Sequence, residues 1–189
     1  MVDLTVPGGH RTSDLVHAAA SALGAAGGRR VAIAVGASRR TPPDDPAADP
    51  AAGPGTGPRI ADRSALLRLR DVERMDRDQV REAIRSAPVE ASPHGEEGVR
   101  SRLAAGLLGA GIRLLAPRLG SSLLVSHLGR VDGTGVDRLL FHPVTAGGSG
   151  LSLGAVVLGD TTTVTLRGRA RTWNDDGLEQ LLEAIVDRL

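Results

Sequence analysis

A chain of 189 residues carrying 23 basic against 22 acidic side chains has a formal charge of +1, so no large net field draws in nucleic acid or an anionic membrane. The absence of cysteine excludes disulfides, thiolate catalysis and cysteine-ligated metals. With 41% apolar residues the chain is long enough for one substantial core, burying roughly 70% of the unfolded surface, and a single domain spanning residues 1–189 is expected.

Phe141 and Trp173 are the only aromatic residues. The interior must therefore be filled by Leu, Val, Ile and Ala, and stacking platforms for bases are disfavoured. Every basic residue is arginine; beside abundant Ala, Gly, Asp and Pro this reads as high-GC coding bias rather than as a selected set of phosphate clamps. The N-terminal stretch MVDLTVPGGHRTSD has no basic region followed by an apolar one, and no run approaches the ~20 apolar residues of a membrane span. A soluble cytoplasmic protein without membrane contact is the expectation.

Residues 1–11 form a short lead with a turn at Pro7-Gly8-Gly9 and room for an edge strand. Thr12 or Ser13 is expected to cap a helix over Asp14 to Ala26, whose Leu15, Ala19, Ala22 and Leu23 share one face. Arg30 to Val35 is a continuous apolar strand of the buried type. Thr41 to Pro58, with six prolines and three glycines, cannot bury enough apolar surface to offset its ordering entropy, and a flexible surface loop over residues 41–58 is expected. A strand over Arg63 to Arg70 and a polar helix over Asp76 to Ser86, capped by Asp76, follow. Glu96 to Leu115 shows Val99, Leu103, Leu107, Ala110 and Leu114 at helical spacing, interrupted by glycines.

The stretch from Ser121 to Ala170 organises the chain. Leu123 to Ser126, Val136 to Phe141 and Leu151 to Leu158 are apolar runs, and Thr162 to Arg169 alternates, so four strands are expected, the last two joined at Gly159-Asp160. Asp176 to Glu179 resembles a capping box that opens a final helix striped by Leu178, Leu181, Leu182, Ile185 and Leu189. The pattern predicts an α/β or α+β sandwich: a mixed, mainly antiparallel sheet of about six strands flanked by helices.

Candidate chemistry is sparse. His10 and Asp14 have the HxxxD spacing of acyltransferases that use a histidine base, but Leu15 stands where a glycine should follow, and Ser13 and Asp14 are ordinary helix-start residues. His17, one turn on, could in principle share a metal with His10, but no third ligand is in view. His94 precedes a helix start, and His142 precedes Pro143 at a strand end. His127, in Ser126-His127-Leu128-Gly129, ends a strand where the chain turns at Gly129 and is placed to face a cavity at the sheet edge. No phosphate-binding loop and no HExxH motif is present.

The helix TSDLVHAAASALGAA followed by the strand VAIAVGASRR resembles a helix and arginine-closed strand of the condensation-domain and chloramphenicol-acetyltransferase-like superfamily, the match falling on Asp14, Ala19, Leu23 and Arg39. LLVSHLGRV resembles that group's strand ending in Ser-Asn-x-Gly, with Ser126 and Gly129 in place and His127 at the usual asparagine position. GLSLGAVVLGDTTTVTLRG and the closing helix resemble its last hairpin and helix, so the likeness is to the C-terminal lobe of these two-lobed enzymes. The HHxxxDG motif belongs to their other lobe, and the chain starts at a methionine about where the second lobe would begin.

What the resemblance implies is half of an acyl-transfer channel, with Ser126, Gly129 and Arg39 lining it and His127 as the candidate acid, base or orienting group. The expected partners are a separate lobe bearing HHxxxDG or a second copy of the chain, together with an acyl carrier protein or acyl-CoA. No cofactor and no metal are implied. Three readings follow: a subunit of a split condensation or acyltransferase enzyme in peptide or polyketide biosynthesis, a non-catalytic binding or scaffold subunit, and an independent dimeric enzyme with a rebuilt pocket at His127.

Overall fold

Period-two patterning and apolar runs separate into strands that share one sheet, described by a computed structural model for residues 1–27, 30–38, 64–90, 121–133, 135–143 and 150–189. The strands are β1 (Val2–Pro7), β2 (Ile33–Ser38), β3 (Ser64–Leu69), β4 (Val89–Glu90), β5 (Leu123–Val131), β6 (Leu151–Leu158) and β7 (Thr161–Gly168). The helices among the described residues are α1 (Thr12–Ala25), α2 (Arg77–Ser86) and α3 (Asp175–Val186), with a 3-10 turn at Val72–Arg74. Arg39, the Thr41 to Pro58 stretch, His94 and the run from Glu96 to Leu115 lie outside the described residues.

Among the described residues the sheet has seven strands in the order β1-β7-β6-β5-β2-β3-β4. Only β2 with β5 and β5 with β6 pair in parallel among the described residues; the other pairings are antiparallel, which gives the mixed, mainly antiparallel sheet expected. All three helices pack on one face. There Ile33, Val35, Leu67, Leu69, Leu123, Val125, Leu151, Leu153, Val164 and Leu166 meet Leu15, Val16 and Ala19 of α1 and Leu178, Leu182 and Ile185 of α3. Each fully buried Leu or Val contributes roughly 1.5–3 kcal/mol by leaving water. The small side chains Ala18, Ala19, Ala20 and Ala22 are buried along α1, so its axis can lie close to the strands.

Capping decides where the helices begin. For α2 the reading of Asp76 holds: its carboxylate accepts the Gln79 N–H at 2.8 Å while Gln79 Oε1 accepts the Asp76 N–H at 2.9 Å. For α1 the cap is Arg11 rather than Thr12 or Ser13, because the Asp14 carboxylate reaches back to the Arg11 N–H at 3.1 Å. For α3 the cap is Asn174 rather than Asp176. Asn174 Oδ1 accepts from the Gly177 N–H at 3.1 Å, and Asp175 and Asp176 fall in the first turn, where the helix dipole favours negative charge.

One expected strand is absent. Val136 to Phe141 is irregular, because β5 and β6 run parallel and the chain between them must cross a face of the sheet rather than form a hairpin. It crosses the face opposite the helices. Ser152 Oγ donates to the Pro143 carbonyl at 2.9 Å, Thr165 Oγ1 donates to the Phe141 carbonyl, and Arg138 pairs with Asp3 of β1. Gly154 lies beneath, where a Cβ would overlap the Phe141 carbonyl oxygen and come within 2.8 Å of both Pro143 Cδ and Thr165 Oγ1.

Candidate functional site

Strand parity sorts the expected site residues. Leu123 and Val125 of β5 point into the helix-side core, so His127 follows them and Ser126 points to the other face. The expectation that His127 stands beside Ser126 in one channel wall is therefore corrected: adjacent strand residues face opposite sides. Ser126 is flanked in register by two residues without side chains, Gly36 of β2 and Gly154 of β6. A Cβ on Gly36 would stand 3.0 Å from Ser126 Oγ, so the serine hydroxyl occupies the space that this glycine leaves.

Gly129 is not a turn that ends the strand. β5 continues to Val131, and the register against β6 shifts between His127 and Arg130, with Gly129 at φ +79°. A bulge of this kind needs the left-handed conformation that glycine adopts without penalty. The extra residue brings Arg130 to the His127 side: its guanidinium donates to the Gly159 carbonyl and lies against Gly9.

On that side the lead into α1 is tied to the β6–β7 end. Gly8 N–H donates to the Asp160 carbonyl at 2.7 Å, Thr162 Oγ1 donates to the Gly8 carbonyl at 2.7 Å, and the His10 N–H donates to Thr162 Oγ1 at 3.2 Å. The first helical residue, Thr12, is thereby held against β5. Thr12 Oγ1 lies 3.1 Å from His127 Nδ1, while His127 Nε2 is buried without a hydrogen-bond partner among the described residues. Burial pushes the His127 imidazolium below its ordinary value of 6.5, so the ring is neutral at physiological pH.

A neutral imidazole with one nitrogen tethered and the other free has the elements of a proton acceptor. The remaining histidines are placed otherwise. His10 Nε2 bonds the Pro7 carbonyl at 3.2 Å, which removes it from an HxxxD arrangement in which Asp14 already serves the Arg11 N–H. His17 lies on α1 with Nδ1 buried and without a partner among the described residues, and His142 is exposed. No group of three metal-ligating side chains occurs among the described residues. A shallow depression of about 510 Å³ lined by Val131, Asp132, Val136, Asp137, Leu158 and Thr161 includes none of the expected site residues. Thr12 is the residue that the sequence did not announce as part of the site; its only local signal is a helix-start hydroxyl. No described helix is long and apolar enough to cross a membrane.

No protein-family model matches the sequence, and no curated protein is similar to it. Among solved structures the chain is similar to one of condensation-domain-mediated chain release from the enacyloxin polyketide synthase, at 15% identity and a TM-score of 0.58 over 98% of this chain and 39% of that one. It is also similar to the epimerization domain from the third module of tyrocidine synthetase B, at 14% identity and a TM-score of 0.55, with 98% and 46% covered. A probable dihydrolipoamide acetyltransferase from Listeria monocytogenes 4b F2365 matches at 11% identity and a TM-score of 0.57, with 99% and 82% covered. The chain thus has the condensation-domain and chloramphenicol-acetyltransferase-like fold, and it spans less than half the length of the first two of these structures.

Proposed function

We propose that the chain is a C-terminal-lobe-like subunit of a split condensation or acyltransferase enzyme of peptide or polyketide biosynthesis, forming the acyl-transfer channel with a partner lobe that bears the HHxxxDG motif. The observation that carries this reading is coverage: 98% of the chain superimposes on only 39% of the enacyloxin condensation structure and 46% of the tyrocidine epimerization domain. The substrate class is an acyl thioester presented by an acyl carrier protein or by coenzyme A. The chain contributes two groups able to hold or move a proton, on opposite faces of β5: Ser126 on the face that the segment 136–143 crosses, and the neutral His127 on the helix side, against the start of α1. Arg39, which the sequence resemblance also places in the channel, is the third candidate.

Coexpression with a lobe carrying HHxxxDG tests the proposal. A stable one-to-one complex that transfers an acyl group from a carrier-protein or coenzyme A thioester, where neither lobe does so alone, is the expected result. Failure of the lobes to associate at micromolar concentration would overturn it.

A second reading is favoured by one observation, the 82% coverage of the probable dihydrolipoamide acetyltransferase chain. In it copies of this chain build the site between them without another lobe. Sedimentation of the isolated chain separates the two: a homo-oligomer active on acyl thioesters supports the second, an inactive chain rescued by the partner lobe the first.

A further inference from the structure

We propose that Thr12 is the positioning residue for His127: its hydroxyl accepts the Nδ1–H, which leaves the Nε2 lone pair as the acceptor for an N–H or O–H of the acyl acceptor once the side chains that bury Nε2 give way to it. The assignment of His127 to the acyl-transfer site rests on the reading above; the hydroxyl contact and the free nitrogen do not.

The two residues are 115 positions apart, and their contact of 3.1 Å joins the first turn of α1 to β5. That placement is built. Asp14 moves the helix cap to Arg11, which frees the Thr12 side chain from capping, and the Gly8 and His10 bonds to the β6–β7 end fix the approach of the helix. The tautomer follows from what is left over. If Thr12 donated to Nδ1, the proton would sit on Nε2 as a buried donor with no acceptor; if Nδ1–H donates to Thr12, only a lone pair is left unmatched. Buried orphan N–H groups are the rarer and costlier case. Three charged or titratable groups beside the start of α1 are engaged elsewhere, Asp14 with the Arg11 N–H, His10 with the Pro7 carbonyl and Arg130 with the Gly159 carbonyl, while His17, further along α1, keeps a buried Nδ1 with no partner among the described residues. From β6 the residue opposite His127 is Ala155, which offers neither charge nor hydrogen bond. Neutral imidazole in water favours the opposite form, so the hydroxyl has a tautomer to select.

The test is nitrogen NMR of the histidine-labelled chain at pH 7.5 for wild type, Thr12→Val and Thr12→Ser. The expected result is an Nδ1–H ring for His127 in wild type and Thr12→Ser and a shift to the Nε2–H form in Thr12→Val, which keeps the side-chain shape. An Nε2–H ring in the wild type, or a tautomer that Thr12→Val leaves unchanged, would overturn the positioning role. Turnover in the reconstituted two-lobe enzyme judges the other half. A loss on the order of 10²-fold in Thr12→Val with recovery in Thr12→Ser supports His127 as proton acceptor. Unchanged turnover despite a switched tautomer overturns its place in acyl transfer.

Discussion

Replacing Gly154 by alanine adds one methyl group to a sheet face that has no room for it. The new Cβ would overlap the Phe141 carbonyl oxygen and come within 2.8 Å of Pro143 Cδ and of Thr165 Oγ1. Either β6 moves, disturbing pairings with both β5 and β7, or the segment over it lifts. Lifting breaks the bonds from Ser152 and Thr165, whose side chains are only 2% and 1% exposed, and leaves both hydroxyls to find new partners. Two hydrogen bonds at about 1 kcal/mol each, plus about 1–3 kcal/mol of overpacking, are offset by about 0.5–1 kcal/mol of unfolded-state entropy that alanine removes. The net expectation is a loss of about 2–4 kcal/mol, which in a chain of this size lowers the thermal midpoint by roughly 10 °C. Urea denaturation and calorimetry of Gly154→Ala against wild type measure it. A change below about 0.5 kcal/mol would refute the claim that the crossover segment is docked on the sheet.

Two further outcomes are expected. Because the folded-state value of His127 lies below 6.5, the unfolded chain takes up the proton first; the stability held by the neutral ring is full above pH 6.5 and is lost as pH falls from there through the folded value. Denaturation at pH 8 and pH 5 should thus show a pH-dependent loss that His127→Asn reduces, and an identical pH dependence in the variant would be evidence against a buried neutral ring. Asp76→Ala removes one half of the reciprocal cap on α2 and should destabilise by about 1 kcal/mol, read from the urea midpoint at unchanged slope.

Sequence patterning was informative wherever one element decides its own structure. The Leu15 and Ala19 stripe, the Leu178 to Ile185 stripe, the Gly159-Asp160 hairpin and the Asp76 cap all depend on neighbours a few residues away, and all form as read. Val136 to Phe141 failed for a physical reason. An apolar run does not by itself state that a segment will pair or be covered, and Val136 and Leu140 stay exposed; the parallel direction of β5 and β6 that forbids a hairpin is a property of the whole sheet. The opposed faces of Ser126 and His127 were legible from period-two geometry once β5 was accepted as a strand running through them. Thr12 was not: its contact with His127 closes 115 positions of sequence, and nothing local distinguishes it from an ordinary helix-start hydroxyl. The bulge at Gly129 was half legible, since glycine marked a special backbone site without stating whether the strand stopped or continued there.

The pairing of β1 with β7 carries a temporal consequence. Among the described residues Val2 to Pro7 has Thr161 to Leu166 as its one strand partner, so β1 is synthesised well before the strand on which it docks. Until Thr161 to Leu166 have left the ribosome, the backbone groups of β1 lack that ladder. The alanine face of α1 likewise lacks β5 and α3, which later pack against the helix. Bringing such distant segments together is slow, because chain entropy is lost before the contacts that reward it exist. The nascent polypeptide therefore passes through a long interval with an apolar helix face and an open strand edge in solvent, the kind of surface on which chaperones act and from which aggregation starts.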